Sequence, residues 1–164
     1  MLIINLFFFI FRYDENNVPI DIRLLDLQST TVGSPGLDLN YLLLNSVDGV
    51  LRRKSLNNFL SIYYSSFSII FIINDKSPPY SCEDIKKEYR NKNKYGLLMS
   101  MMAIPLMYAE EDDAIDFSKI TDETFDMANR IQLENSFKNP NIKLRFLDVI
   151  DEMVHNGVLK GSLK

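Results

Sequence analysis

The chain has 164 residues, 46% hydrophobic and 24% charged, an ordinary globular balance with length for one modest core. Its 22 acidic and 18 basic residues leave a net charge of -4 without a basic stripe, which excludes a nucleic-acid footprint. A single cysteine, Cys82, and a single histidine, His155, exclude an intrachain disulfide, Cys/His zinc sites and, with no nucleophile elbow present, a Ser-His-Asp hydrolase; they fit a reducing, cytoplasmic compartment.

Met1 to Phe11 is apolar apart from Asn5. It is too short to cross a bilayer as a helix, and it lacks the basic start and small-residue cleavage site of a signal peptide. It reads as a buried strand. Phe7 to Tyr13 is rich in residues that suit a pleated surface. Asp14 to Asn17 is a polar turn, and Ile20 to Leu27 alternates with Ile20, Ile22 and Leu24 on one face and Asp21 and Arg23 on the other. Together they predict an antiparallel hairpin.

Ser29 to Gly36 reads as a loop broken by Gly33 and Pro35. From Leu37 the period becomes helical, and Leu56, Phe59, Leu60, Tyr63, Phe67, Ile70 and Phe71 form a stripe at spacings of three and four. Arg52-Arg53-Lys54 reads as a solvated turn of this region, and Pro78-Pro79 ends it. The run Ser65 to Ile73 is more apolar than one helix face needs; it predicts either double burial or a partner surface. Ser81 caps the next helix, with Asp84 three residues on in a capping-box pattern. Tyr95-Gly96 separates that helix from the apolar run Leu97 to Tyr108, which Pro105 must kink or end; Met99, Met101, Met102 and Met107 are expected in its core. Glu110 to Asp116 is a solvated acidic loop without the spacing of a calcium loop. Thr121 caps a helix to about Phe137. Asn139-Pro140 opens the last helix, with Phe146, Leu147, Ile150, Met153 and Val154 as its buried side and Gly157 as its stop. Cys82 reads as an inert half-buried thiol, and His155 as a last-turn residue favourable beside the helix dipole.

The chemistry centres on Leu24-Leu25-Asp26-Leu27-Gln28 and Gly33-Ser34-Pro35-Gly36-Leu37-Asp38-Leu39. A carboxylate at the end of an apolar strand is costly in a core. It is favourable in a cleft, where a hard oxygen donor suits Mg²⁺. The alternative is that Asp26 only caps the loop that follows.

These segments resemble the ecdysteroid-kinase-like family, also called CHK-type kinases, of the wider aminoglycoside-phosphotransferase and choline-kinase group. The resemblance rests on Phe11 to Asn16, Ile20 to Gln28 and the Gly-Ser-Pro-x-x-Asp-Leu segment Gly33 to Leu39. It continues through the arginine-bearing helix at Leu51-Arg52-Arg53, through Lys94 to Leu98 and Pro105-Leu106, and through Glu110-Glu111-Asp112 to the closing helix ending at Leu159. It implies an α+β, mostly helical C-lobe of a protein-kinase-like, choline-kinase-like fold: a short hairpin followed by about six helices. It also implies transfer of the γ-phosphate of ATP, with Mg²⁺, to a hydroxyl of an ecdysteroid or similar small lipophilic alcohol. By position, Asp26 would hold the metal and Asp38 would brace the catalytic loop. Gln28 and the loop carrying Gly33, Ser34 and Pro35 would line the cleft near phosphates or substrate.

The sequence departs from the family pattern in two places. Leu27 replaces the usual Phe of the metal strand. No His-Gly-Asp occurs anywhere, so the chain carries no assignable catalytic residue, and Asn5 stands where the metal-binding Asn would fall without matching flanks. The expected organisation is therefore an apolar start (1–10) not native to the family, a partial C-lobe (11–159) without its N-lobe, and a tail (160–164). A reading frame opened at an internal Met or inside an intron would produce such a start. The chain alone is expected to be inactive. The alternatives are a non-catalytic helical interaction or ligand-binding module, a pseudokinase remnant associating through exposed apolar surface, and a protein anchored to a membrane by Met1 to Phe11.

Overall fold

The computed structural model describes residues 2–4, 8–25, 30–108, 121, 126–127, 130, 133–134 and 137–159. Among these the architecture is α+β and mostly helical. Strands β1 (Leu2–Ile4), β2 (Phe8–Tyr13), β3 (Pro19–Leu25) and β4 (Thr30–Val32) precede helices α1 (Pro35–Ser46), α2 (Gly49–Ile72), α3 (Cys82–Asn91), α4 (Asn93–Met107) and α5 (Pro140–His155). The chain divides into two compact units. One comprises Met1–Leu43 with Asn57–Lys92, the other Leu44–Leu56 with Asn93–Lys164.

In the first unit, β2 and β3 form the expected antiparallel hairpin, in register from Phe8↔Leu25 to Arg12↔Asp21. Its turn is organised by Asp14, whose Oδ1 accepts from the Asn16 and Val18 amides at 2.9 and 2.8 Å. Asn17 takes the left-handed conformation, φ 61°, that short polar side chains tolerate. The alternation puts Ile20, Ile22 and Leu24 on one face, but that face is not buried: Ile20 is 54% and Ile22 51% exposed. Within the apolar start, Leu2–Ile4 form β1 and Phe8 opens β2. β1 pairs antiparallel with β4, Leu2↔Val32 to Ile4↔Thr30. Thr30–Val32 was expected to be loop; three consecutive β-branched residues favour the extended backbone seen there.

α1 starts at Pro35, two residues before the expected Leu37. Ser34 acts as its cap, its Oγ accepting from the Gly36 amide at 3.1 Å, and Pro35 occupies the first helical position, where its missing N–H costs nothing. α2 is capped by Asp48, whose Oδ1 accepts from Val50 N at 3.0 Å and Leu51 N at 3.2 Å. It ends at Ile72, before Pro78-Pro79 is reached. Asp75 turns left-handed, φ 53°, and Lys76 N returns to Phe71 O at 3.0 Å, a closure that satisfies the last carbonyls. Of the apolar stripe, Leu60 is buried; Leu56, Phe59, Tyr63, Phe67 and Phe71 are half-buried; Ile70 is exposed. Ile69, Ile72 and Ile73 are exposed too, so the double burial considered for Ser65 to Ile73 does not occur. Phe67 sits among Tyr63, Phe71 and Tyr80, at ring-centroid distances of 6.3, 5.0 and 6.2 Å. α3 carries the capping box that Ser81 and Asp84 predict: Asp84 N donates to Ser81 Oγ at 3.2 Å, and Ser81 N donates to Asp84 Oδ2 at 2.9 Å. Cys82 is half-buried at the first position of α3, its Sγ 4.0 Å from Ser61 Oγ.

In the second unit, Leu44, Ile104, Ile142, Phe146, Val149 and Met153 form one core cluster. α5 starts as expected, with Asn139 Oδ1 accepting from Asn141 N at 2.9 Å and Pro140 next to the cap. Its buried face is Ile142, Phe146, Val149 and Met153, spaced by four, three and four residues. Leu147, expected on that face, is exposed; it lies one position round the helix from Phe146. Gly157, φ 70°, ends α5, and Val158 N returns to Met153 O at 2.9 Å. His155 is exposed in the last turn. The expected break at Tyr95-Gly96 falls instead at Lys92, whose amide reaches back to Glu88 O and Tyr89 O. Gly96 lies inside α4, buried, and its carbonyl accepts from Ser100 Oγ at 2.8 Å. Pro105 sits in the last turn of α4, so the helix closes two residues later. Met101, Met102 and Met107, expected in the core, are exposed, and Met99 is half-buried.

The Arg52-Arg53-Lys54 turn is not simply solvated. Arg52 is 1% exposed and Glu152 of α5 5%, and their Nε and Oε2 atoms are 2.7 Å apart. Arg52 Nη1 also donates to Val47 O at 2.8 Å. Beside them, Arg53 Nη1 lies 3.1 Å from Asp148 Oδ1. Charge alone places Arg52 on the surface; a guanidinium held by a carboxylate and by backbone carbonyls tolerates burial. The acidic stretch Glu110 to Asp116 lies outside the described residues. Of the helix expected from Thr121, residues Asp126, Met127, Arg130, Leu133 and Glu134 are helical, and Thr121 itself is exposed without regular structure. Among the described residues no helix is long and apolar enough to cross a membrane.

Candidate functional site

The segment Gly33-Ser34-Pro35 borders a depression of about 740 Å³ whose opposite side is formed by Tyr80 and by α3 through Asp84, Lys87, Glu88 and Asn91. Three contacts hold the segment to α3. Ser34 Oγ donates to Glu88 Oε2 at 2.5 Å. Asn40, fully buried on α1, donates through Nδ2 to both Gly36 O at 2.7 Å and Tyr89 O at 2.8 Å. At Gly36 the backbones themselves meet: a Cβ there would lie 2.4 Å from Glu88 O. Only glycine permits that approach, and it explains why the first turn of α1 carries one.

The electrostatics follow from these bonds. The Ser34 hydroxyl holds the Glu88 carboxyl below its ordinary pKa, against partial desolvation, and Asn91, Lys92 and Lys87 add to the lowering. Asp84 is held low first by the Ser81 hydroxyl and then by the Ser81 amide. Both carboxylates of the depression are therefore ionised at neutral pH. Away from the depression, burial raises the Tyr63 phenol of α2, and the charge of Asp38 raises it further.

Of the residues singled out from sequence, Gly33, Ser34 and Pro35 come together at this depression. Asp38 is half-buried in the first turn of α1 and is not part of its lining. Asp26 and Gln28 lie outside the described residues. Glu88 escaped the sequence reading. Its spacing of four from Asp84 places the two on one face of α3, but the partner that gives Glu88 a role is 54 residues away in sequence. Among the described residues no three His, Cys, Asp or Glu side chains gather into a metal site. The two carboxylates at the depression are already engaged by serines. Among the described residues these two carboxylates, which accept from Ser34 and Ser81, assemble no Mg²⁺ site by themselves.

No curated protein and no solved structure matches the chain. Residues 6–70 match the ecdysteroid kinase-like family. The matched stretch takes in the β2–β3 hairpin, the Gly33–Pro35 segment, α1 and nearly all of α2. Over this stretch the chain is similar to the ecdysteroid kinase-like family.

Proposed function

We propose that the chain is a C-lobe portion of an ATP-dependent small-molecule kinase, one whose complete relatives phosphorylate a hydroxyl of an ecdysteroid or similar lipophilic alcohol. The observation that carries this reading is the family match over residues 6–70, which spans both the Asp26-Leu27-Gln28 and the Gly33-Ser34-Pro35 motifs. In such transfer the alcohol oxygen bonds to the γ-phosphorus as the bond to ADP breaks, and the protein chiefly positions groups and stabilises charge. Bound Mg²⁺ supplies neutralisation of phosphate charge. In this reading Asp26 holds the ion, Gln28 and the Gly33–Pro35 segment border phosphates or acceptor, and Asp38 braces the neighbouring backbone. The sequence contains no His-Gly-Asp, so the 164-residue chain supplies no base for the acceptor hydroxyl and is inactive on its own.

The test is transfer of labelled γ-phosphate to lipophilic alcohols by the pure chain, together with Mg²⁺-dependent nucleotide binding by the chain and by Asp26→Ala. No turnover, with Mg²⁺-dependent binding that is lost in Asp26→Ala, is the expected result. Turnover abolished by Asp26→Ala would overturn the inactivity. Nucleotide binding indifferent to Mg²⁺ and to Asp26 would overturn the metal assignment. The exposed apolar residues of the β2–β3 hairpin and of the end of α2 favour a second reading, a non-catalytic helical interaction module. Complete absence of nucleotide binding would select it.

A further inference from the structure

We infer that Glu88 of α3, outside the matched stretch 6–70, is a positioning residue for the Gly33–Gly36 segment. Its carboxylate acts through the Ser34 hydroxyl to fix the backbone that borders the depression.

Ser34 Oγ makes two bonds at once. It donates to Glu88 Oε2 at 2.5 Å and accepts from the Gly36 amide at 3.1 Å. An acceptor on the far side of the hydroxyl orients its proton away from Gly36 and turns a lone pair toward that amide. Glu88 thereby sets the direction of the cap that starts α1. A bond from a hydroxyl to an ionised carboxylate is stronger than a neutral one. The close approach of Gly36 to Glu88 O and the Asn40 bridge to Tyr89 O hold the same segment at neighbouring points of α3. Glu88 is the one titratable side chain among these three attachments. Around it stand Lys87 and Asn91 of its own helix, Lys92 at the cap that ends it, and Ser34 from the segment; Asp84, one turn earlier, lines the same depression.

This rests on the reading of Gly33–Pro35 as part of a phosphoryl-transfer site, yet its test is independent of that reading. Amide hydrogen exchange at Gly36 is followed by NMR in the full chain, in Glu88→Ala, Glu88→Gln and Ser34→Ala, across acidic to neutral pH. Glu88→Ala and Ser34→Ala should each speed Gly36 exchange roughly three- to tenfold, a charged hydrogen bond discounted for its partial exposure. The double variant should be no faster than either single one. Glu88→Gln keeps an oxygen acceptor and should restore most of the protection. Glu88 has a depressed pKa in the folded chain, so its support is present above the ordinary carboxylate range and is lost as pH falls through the depressed value. The full chain should therefore show an acid-dependent loss of Gly36 protection that Glu88→Gln lacks.

Unchanged Gly36 exchange in a folded Glu88→Ala, or an acid transition that persists in Glu88→Gln, would overturn the inference. Mg²⁺-nucleotide titration of the same samples judges the kinase reading separately. Failure to bind nucleotide, with the exchange pattern intact, sinks that reading and leaves the role of Glu88 standing.

Discussion

Helix α5 and the β2–β3 hairpin are both rich in apolar residues, and the chain treats them differently. In α5, Ile142, Phe146, Val149 and Met153 recur at helical spacing and enter the core of the second unit. In the hairpin, Ile20, Ile22 and Leu24 alternate as a strand should, yet all remain exposed. Periodicity decides which side of an element is apolar; it does not supply what covers that side. α5 has α4 and the end of α1 to pack on, whereas a two-stranded sheet must be covered from elsewhere to be stable.

The sharpest way to break the α5 side is to remove Glu152. Arg52 would then be a buried guanidinium without its carboxylate. Glu152→Ala should destabilise the chain by about 3–5 kcal/mol, as expected for one partner lost from a buried pair. Replacing both residues, Arg52→Met with Glu152→Leu, should recover most of that loss, since the desolvation of both charges disappears. Arg53→Ala should cost less than about 1 kcal/mol, because its bond to Asp148 is partly exposed. Urea denaturation followed by circular dichroism reads all three, and equal losses for Arg53→Ala and Glu152→Ala would contradict the assignment of the buried pair.

A smaller effect is expected where α5 stops. Gly157 holds φ 70°, with open space where a Cβ would point. Gly157→Ala therefore meets no clash and reports only backbone strain, about 1–2 kcal/mol. A loss below about 0.5 kcal/mol would mean that the left-handed closure forms only part of the time.

The local signals were legible in the sequence. Ser81 with Asp84, Asn139 with Pro140, and Gly157 each act through atoms within a few residues, and each behaves as its residue type dictates. What could not be read were the contacts across long separations. Arg52 looked like surface because its partner, Glu152, is 100 residues away. Nothing near Glu88 in sequence marks it, because its partner Ser34 is 54 residues away. Tyr95-Gly96 looked like a break, since glycine is a poor helix former; tertiary burial of Gly96 outweighs that propensity. At the candidate site, Gly33, Ser34 and Pro35 were found through the resemblance, while the α3 side of the depression came only from the fold.

The smallest predicted effect tests the hairpin directly. Valine and isoleucine can each be exchanged for threonine with the β-branch kept, so shape and strand propensity change little and the added hydroxyl reports burial. At Val149, 1% exposed, the hydroxyl enters the core, and Val149→Thr should cost about 1–3 kcal/mol. At Ile22, on the open face, Ile22→Thr should stay within about 0.5 kcal/mol, as surface substitutions do. Both are read from urea midpoints, with sedimentation at the same protein concentration. If Ile22→Thr costs as much as Val149→Thr in a monodisperse monomer, the hairpin face is covered within the chain in solution, and the contrast with α5 fails. If the cost appears only with self-association, a second copy supplies the cover. A loss within 0.5 kcal/mol leaves the hairpin as drawn, an apolar surface formed by strand alternation and left open.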